Sequence, residues 1–315
     1  MKTIFKKIGK IALITVLSLI GVFAGAIGGL NVAKFAIYSE YYSIKENICK
    51  NPGLNDGFVC QGIAVSEENN VVLVSGYMKN HSNSRIYVTD EKNNSYYVEF
   101  IKEGKEFTGH VGGIATTKDK VYIANSEKIH IVDIKDILSY EKGKKVDVGE
   151  GIKVNVAASF VYTDESYLYV GEFHNGKAYN IEGHESETKE GTHYAYCYKF
   201  NINDLSKPIK VYSIRNKVQG ICFTPDGKVV MSTSYGVTDS VYYVYNEKDA
   251  TNSNKEVDGA PLYYLDTLVN DIHGPAMSED LDYYNGKVIT LSESASDKYI
   301  FGKFFAANKI IGLEI

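Results

Sequence analysis

A two-stranded hairpin that recurs five times is the sequence feature that most restricts the fold. The copies are 61–77, 112–127, 157–173, 219–235 and 278–294. In four of them the second strand begins ten residues after the first aligned residue, and in 112–127 the turn is one residue shorter. Such a recurrence indicates one supersecondary unit repeated around a common core.

Each hairpin is followed by two more segments rich in β-branched and aromatic residues and bounded by Gly, Asn or Asp, which is typical of strands. These segments are 84–90 and 95–102, 128–134 and 144–149, 193–202 and 208–214, 240–246 and 260–268, and 298–304 and 308–315. Four strands in each of five units predict an all-β fold, a five-bladed β-propeller of four-stranded blades. A two-sheet sandwich would not accommodate so many strands.

The turns also suggest a group of related folds. Pro225-Asp226-Gly227 and Asn285-Gly286 each separate the two strands of a hairpin. With the repeat over 58–315, they resemble propellers of the gluconolactonase and YncE-like kind in pattern. The resemblance implies a propeller without a more specific family.

The amino-terminal segment has the composition of a membrane anchor. Four lysines, at positions 2, 6, 7 and 10, precede residues 11–30, which carry no charge. Twenty such residues span about 30 Å as a helix, enough for a bilayer core. Basic residues before the span favour a cytoplasmic amino terminus and an extracytoplasmic remainder.

The predicted organisation has four parts. They are a cytoplasmic basic tail (1–10), a transmembrane anchor (11–33), a linker and entry segment (34–57) and the propeller (58–315). A cleaved signal peptide is the alternative, because Ala24-Gly25-Ala26 offers small residues for cleavage. In that case the protein would be secreted.

The charge outside the anchor argues against nucleic acid as a partner. The chain has 34 basic and 39 acidic residues, and removing the five lysines of residues 1–34 leaves 29 against 39. The part beyond residue 34 therefore has a net charge of −10. Such a surface repels phosphate backbones.

Candidate ligand-binding residues come from one face of the predicted ring, formed by the loops that enter each innermost strand and those that join second to third strands. The entry loops and the strand starts beside them supply Gln61, His110, Gln219, His273 and Glu279. The second-strand exits supply Tyr77, Glu172, Tyr235 and Glu293. The alternative is that these polar side chains are simply solvated.

Glu172 and Glu293 occupy equivalent second-strand exits in the third and fifth units. We expect them on one face, within reach of a shared ligand or ion. Together with Glu279 and His273 they would suit a divalent cation or acid–base chemistry. The insertion 172–193, which carries three histidines, would suit a metal site, a lid or a solvated loop.

The four cysteines leave two interpretations open. Cys49 and Cys60 enclose a turn-rich segment that a disulfide could bridge, and four free thiols are the alternative. No CxxC motif occurs, so a zinc or redox site of that type has no support.

The sequence contains no GxSxG, HExxH or GxxxxGK[ST] motif. Our first hypothesis is therefore a membrane-anchored, extracytoplasmic propeller that binds a ligand or protein partner on its central face. The alternative is a metal-assisted hydrolase or lactonase. It would hold one divalent cation between Glu172, Glu279 and Glu293, with His273 beside them.

Two lysine substitutions in the apolar core of the anchor test its role in membrane retention. The full-length chain is expected in the membrane fraction, with the domain open to externally added protease. Leu17→Lys with Ile20→Lys should abolish retention, because each charge at a helix centre costs about 2.5–3.5 kcal/mol. A mature chain that begins near residue 27 and is released to the medium would contradict the anchor.

Overall fold

The computed structural model describes the backbone of residues 2–315 and the side chains of residues 12–315. Helix α1 (Lys2–Ile37) is followed by α2 (Ser39–Ile44). The segment Ala12–Ile37 is long and apolar enough to cross a membrane. The predicted span 11–33 lies within α1, whereas the side chains of the predicted tail 1–10 lie outside the described residues.

The regular structure in the rest of the chain is almost entirely strand. In chain order the strands are β1 (Lys45–Lys50), β2 (Phe58–Ser66), β3 (Val71–Met78), β4 (Arg85–Asp90), β5 (Ser95–Lys102), β6 (Lys105–Glu106), β7 (Gly113–Thr116), β8 (Lys120–Asn125), β9 (Lys128–Asp133), β10 (Lys144–Asp147), β11 (Ile152–Lys153), β12 (Phe160–Thr163) and β13 (Tyr167–Gly171). They continue with β14 (Ser186–Thr188), β15 (Gly191–His193), β16 (Ala195–Asn201), β17 (Asp204–Ile214), β18 (Val218–Phe223), β19 (Lys228–Thr233), β20 (Ser240–Asn246), β21 (Thr251–Val257), β22 (Ala260–Tyr264), β23 (Leu268–Gly274), β24 (Ser278–Tyr284), β25 (Lys287–Ser292) and β26 (Lys309–Leu313). The short helices are α3 (Ile134–Ile137) and two 3₁₀-helices, Glu247–Asp249 and Phe301–Phe305.

Within residues 2–315 these strands build five blades in a ring, which confirms the predicted propeller. From the axis outward, blade 1 is β2-β3-β4-β5, blade 2 is β7-β8-β9-β11, blade 3 is β12-β13-β16-β17, blade 4 is β18-β19-β20-β23 and blade 5 is β24-β25-β26-β1. The apolar core lies between neighbouring blades: Val98 of blade 1, for example, belongs to the same buried cluster as Ile123 of blade 2.

Blade 5 closes the ring with a strand from the other end of the chain. β1 pairs antiparallel with β26, with Lys45 opposite Leu313. Residues 45–50 were expected in the linker, so this strand adds to the predicted propeller. The strand predicted at 298–304 is wrong, because these residues overlap the 3₁₀-helix Phe301–Phe305, where Phe304 packs against Phe23 of α1.

The segments predicted as the fourth strands of blades 2 and 4 each pair with the blade before them instead. β10, from the predicted segment 144–149, pairs in parallel with β5 at the outer edge of blade 1. β22, from 260–268, pairs in parallel with β17 at the edge of blade 3. The true fourth strands are β11 and β23, and the displaced strands cover open edges that would otherwise expose unpaired N–H and C=O groups.

The antiparallel pairing defines two faces of the ring. The start of β2 lies opposite the end of β3, so entry loops and second-to-third loops meet at the same face. We call this the central face. The hairpin turns and the third-to-fourth connections form the opposite face, which we call the turn face.

The inner strands leave no space for a side chain at Gly220. A Cβ there would lie 2.5 Å from the backbone N of Leu281 and 2.6 Å from the Cα of Asp280. Gly227 lies in a turn with φ +86°, and nothing is within 4 Å of its would-be Cβ.

Gly220→Ala should therefore destabilise the domain by about 3 kcal/mol or more through overpacking at the axis. Gly227→Ala is the matched control and should cost about 1 kcal/mol, because it only strains a left-handed residue. Urea unfolding of the two variants measures the difference, and equal losses would argue against the crowded axis.

Candidate functional site

One buried and one half-buried glutamate form the centre of the candidate site. Glu279 lies on β24 and is 3% exposed, and Glu293 follows the end of β25. Burial, and then the charge of Glu293, raise the pKa of Glu279 well above its usual range. Burial raises the pKa of Glu293 to about 7, although Tyr299, Lys298 and Gln61 act in the opposite direction. Both shifts favour the protonated form of the pair.

Gln61 fixes one side of this pair. It lies on β2, is buried, and donates from Nε2 both to Glu293 Oε2 at 2.8 Å and to the Cys60 carbonyl at 2.8 Å. The structure thus brings together three of the predicted residues, Gln61, Glu279 and Glu293, on the innermost strands and the loop after β25.

A layer of aromatic and basic side chains lies beside the pair. The hydroxyls of Tyr77 and Tyr299 are 3.2 Å apart, and Lys298 Nζ lies 4.5 Å from the centre of the Tyr77 ring and donates to its hydroxyl. The His110 ring stacks on the Tyr77 ring, with centroids 4.8 Å apart.

Sequence reasoning missed Lys298 and Tyr299, because it assigned them to a strand. It also missed Asp280 and Asp282, whose spacing of two on an innermost strand was the available signal, since such residues share one face of the strand. Asp280 Oδ2 accepts from the backbone N–H of Ile63 at 3.3 Å and of Ile114 at 3.2 Å. One carboxylate thus joins three blades across the axis.

Asp282 makes a similar contact farther along the channel. Its Oδ2 accepts from the backbone N–H of Val65 at 2.6 Å, and burial raises the pKa of Asp282 to about 7. Burial also raises the pKa of Asp280 well above its usual range, although three backbone hydrogen bonds act in the opposite direction. Innermost strands have one free edge each, and these carboxyls satisfy N–H groups along it.

Glu172 lies at the predicted second-strand exit of blade 3 but has its own partners. It is buried, and its Oε2 accepts from the backbone N–H of Tyr196 at 2.8 Å and contacts His184 Nδ1 at 2.8 Å. Among residues 12–315 no hydrogen bond or ion pair joins Glu172 to Glu293. A ligand shared by these two residues remains a prediction.

Among residues 12–315, no hydrogen bond or ion pair joins His273, Gln219 or Tyr235 to the carboxylate pair. His273 is on β23, the outermost strand of blade 4, where its ring contacts Asp239 at 3.4 Å and Asp271 at 3.2 Å. Gln219 donates to Ser234 Oγ at 3.3 Å. Tyr235 is partly exposed and lines a cavity of about 440 Å³ beside Lys217.

The disulfide between Cys49 and Cys60 is not present, and all four cysteines are free and buried. Cys49 pairs with Ile310 across the β1–β26 ladder, whereas Cys60 Sγ lies 3.1 Å from Asn51 Nδ2. Burial raises the pKa of Cys49 to about 11 and that of Cys60 well above its usual range, so neither thiol is a reactive thiolate.

The predicted metal site also lacks a complete ligand set. In the part of the chain whose side chains are described, no group of three or more His, Cys, Asp or Glu residues is arranged to hold a metal ion. Glu279 and Glu293 provide two carboxylates, and the proposed third, Glu172, is held by His184.

No protein-family model and no curated protein matches this chain. Among solved structures, Myxococcus xanthus glutaminyl cyclase is 6% identical with a TM-score of 0.46, covering 85% of this chain and 95% of that one. A PQQ-bound aldose sugar dehydrogenase from Streptomyces coelicolor is 15% identical with a TM-score of 0.43, covering 78% and 76%.

Hydrazine synthase from Kuenenia stuttgartiensis is 12% identical with a TM-score of 0.39, covering 74% of this chain. This chain spans only 56% of the length of that one. Identities and TM-scores this low say nothing about what the chain binds or catalyses.

The raised pKa values of Glu279 and Glu293 predict that the free energy of unfolding depends on pH. Both folded-state pKa values are raised, so the folded protein binds more protons than the unfolded chain between about pH 4.5 and 7, and the pair's contribution to stability falls as pH rises through that window. The double variant Glu279→Gln with Glu293→Gln has no carboxyl to titrate at these positions, so it does not lose this stability as pH rises. Relative to the wild type, the free energy of unfolding of the double variant should rise by roughly 1–3 kcal/mol between pH 4.5 and 8.

Urea unfolding at several pH values measures this gain. Glu127→Gln is the control, because Glu127 is exposed and pairs with Lys153 on blade 2. A constant difference between wild type and double variant at every pH would show that the two carboxyls titrate normally.

Proposed function

We propose that this chain is a membrane-anchored, extracytoplasmic binding module that recognises a positively charged group on its central face. The observation that carries the proposal is the buried Glu279 beside the half-buried Glu293, which accepts a hydrogen bond from Gln61; burial, and then the charge of Glu293, raise the pKa of Glu279. The protonated form of the empty pair is favoured, whereas a bound cation stabilises both carboxylates in their ionised form.

The neighbouring residues favour an organic cation over a metal ion. Tyr77 and Tyr299 present aromatic rings beside the carboxylates, and ammonium or guanidinium groups bind well to such faces. Lys298 already occupies this position, with Nζ 4.5 Å from the Tyr77 ring centre and 5.0 Å from the Tyr299 ring centre. A ligand cation would take the place of this lysine, and the loop that carries Lys298 would move outward.

The alternative of a metal-assisted hydrolase has less support. Its four residues do not form one group, because Glu172 contacts His184 and His273 contacts Asp239 and Asp271. The remaining pair still offers a protonated and an ionised carboxyl, which general acid–base chemistry would need. The geometry therefore supports binding better than hydrolysis.

Thermal unfolding of the full-length chain in detergent tests the proposal. The probes are an arginine amide, choline, Ca²⁺ and Mg²⁺. An organic cation at 100 times its dissociation constant should stabilise the wild type by about 2.7 kcal/mol. The stabilisation should grow from pH 6 to pH 8, because binding displaces the shared proton.

Two variants make the result specific. Glu279→Gln with Glu293→Gln should abolish the stabilisation, and the control Glu127→Gln should retain it. An equal response in the double variant would place the binding elsewhere. A response to Ca²⁺ or Mg²⁺ alone would favour the metal-dependent alternative.

A further inference from the structure

The carboxyl-terminal half of α1 packs directly against the loop that carries the candidate site. This loop, residues 293–308, joins the second and third strands of blade 5 and includes the 3₁₀-helix Phe301–Phe305. Asn31 Nδ2 donates to the Lys303 carbonyl at 2.7 Å, and Lys34 Nζ donates to the Ala306 carbonyl at 2.7 Å. We call residues 293–308 the site loop.

The site loop also reaches the apolar part of α1. The rings of Phe23 and Phe304 are in edge contact, with centroids 5.4 Å apart. Phe23 precedes Lys34 by eleven residues, which is about 16 Å along a helix. The 3₁₀-helix therefore lies alongside the segment that is apolar enough to cross a membrane.

Part of the outward side of the site loop is apolar, next to the exposed Asp297 and Lys298. Ile300 is 65% exposed and Phe301 is 60% exposed. Exposed apolar side chains also occur on the corresponding loops of blades 3 and 4, namely Tyr179, Tyr235 and Val237. The other exposed large apolar residues beyond α1 lie outside these loops: Tyr140, Ile152, Ile209, and the neighbouring pair Leu268 and Val269 on β23.

The turn face is polar. Its hairpin turns include Glu67-Glu68-Asn69-Asn70 and Asp164-Glu165-Ser166, and its third-to-fourth connections include Glu91-Lys92-Asn93-Asn94. The central face is mixed, because the blade 3 loop exposes Lys177, Glu182, Glu185, Glu187 and Lys189, whereas the loops of blades 4 and 5 also expose apolar side chains. The apolar residues exposed on the site loop next to α1 are the feature that marks an interaction surface.

Further contacts hold the ring at a defined angle to α1. The Tyr38 hydroxyl donates to Asp239 Oδ1 at 2.7 Å, and the Tyr41 ring stacks on Tyr242 with centroids 6.1 Å apart. Both partners belong to blade 4, whereas the site loop belongs to blade 5. Two neighbouring blades are therefore fastened to the helix end, which prevents the ring from rotating freely about a single point.

We propose that the central face is turned toward the bilayer and that Ile300, Phe301 and Phe304 insert into the outer leaflet. This inference rests on the membrane anchoring proposed above and adds the orientation of the domain. The partner of this surface is the lipid bilayer itself, because the site loop lies beside the membrane-crossing part of α1. A ligand of Glu279 and Glu293 then reaches the site from the headgroup layer.

The orientation also connects lipid contact with access to the site. Lys298 and Tyr299 lie beside the carboxylate pair and directly precede the exposed residues Ile300 and Phe301. A movement of the site loop against the bilayer therefore moves the side chains beside the glutamates. Binding on the central face is coupled to the depth of this loop.

Depth-dependent fluorescence of the full-length chain in lipid nanodiscs tests the orientation. The native cysteines are buried, so single cysteines can be labelled with an NBD fluorophore at Ile300→Cys or Phe301→Cys. The matched control is Lys92→Cys, an exposed position on the turn face. Labels at 300 and 301 should shift to the blue and be quenched by lipid-attached doxyl groups, whereas the label at 92 should be quenched only by aqueous iodide.

The outcomes that would contradict the orientation, the anchor or the ligand can be told apart. Iodide quenching at 300, 301 and 92 alike, with the chain still in the nanodisc, would overturn the orientation and leave the binding proposal standing. Loss of the chain from the nanodisc would overturn the anchor and the orientation together. If the cation probes do not stabilise the chain but the labels at 300 and 301 are quenched by lipid, the proposed ligand is refuted and the orientation is supported.

Discussion

The pairing of β1 with β26 is the interaction on which the rest of this structure depends. It joins residues near the two ends of the chain, Lys45 and Leu313, and completes the fourth strand of blade 5. Without it, β26 would present an open edge with unpaired N–H and C=O groups. The same pairing places the end of α1 beside blades 4 and 5, so it determines which face of the ring the helix joins.

Blade 5 also supplies the polar centre of the ring. Asp280 and Asp282 use carboxylate oxygens to satisfy backbone N–H groups of β2 and β7, which are free edges at the axis. Burying carboxyls is costly, and the raised pKa values show that burial outweighs these hydrogen bonds. Glu279 is also buried, and the charge of Glu293 adds to the cost of ionising it, which is why we assign the ligand to this pair.

The site loop connects the two proposals. It contains Glu293, Lys298 and Tyr299, and it also contains the residues that pack on α1. A loop held only by its own blade would be free to open toward solvent. Here it is held on one side by the helix, and the proposed orientation places lipid on the other. Access to the carboxylates would then depend on the membrane surface.

The sequence by itself determined the repeat, because alternating strands and Gly, Asn and Asp turns are local features. That repeat predicted five blades and placed Gln61, Glu279 and Glu293 in loops or strand ends of one face. Only the tertiary structure decided which strands pair across blades: β1 with β26, β10 with β5, and β22 with β17. It also turned residues 301–305 into a 3₁₀-helix against α1 and gathered Lys298 and Tyr299 beside the glutamates. These outcomes depend on hydrogen bonds and packing between residues far apart in the chain, which a local pattern of side chains does not encode.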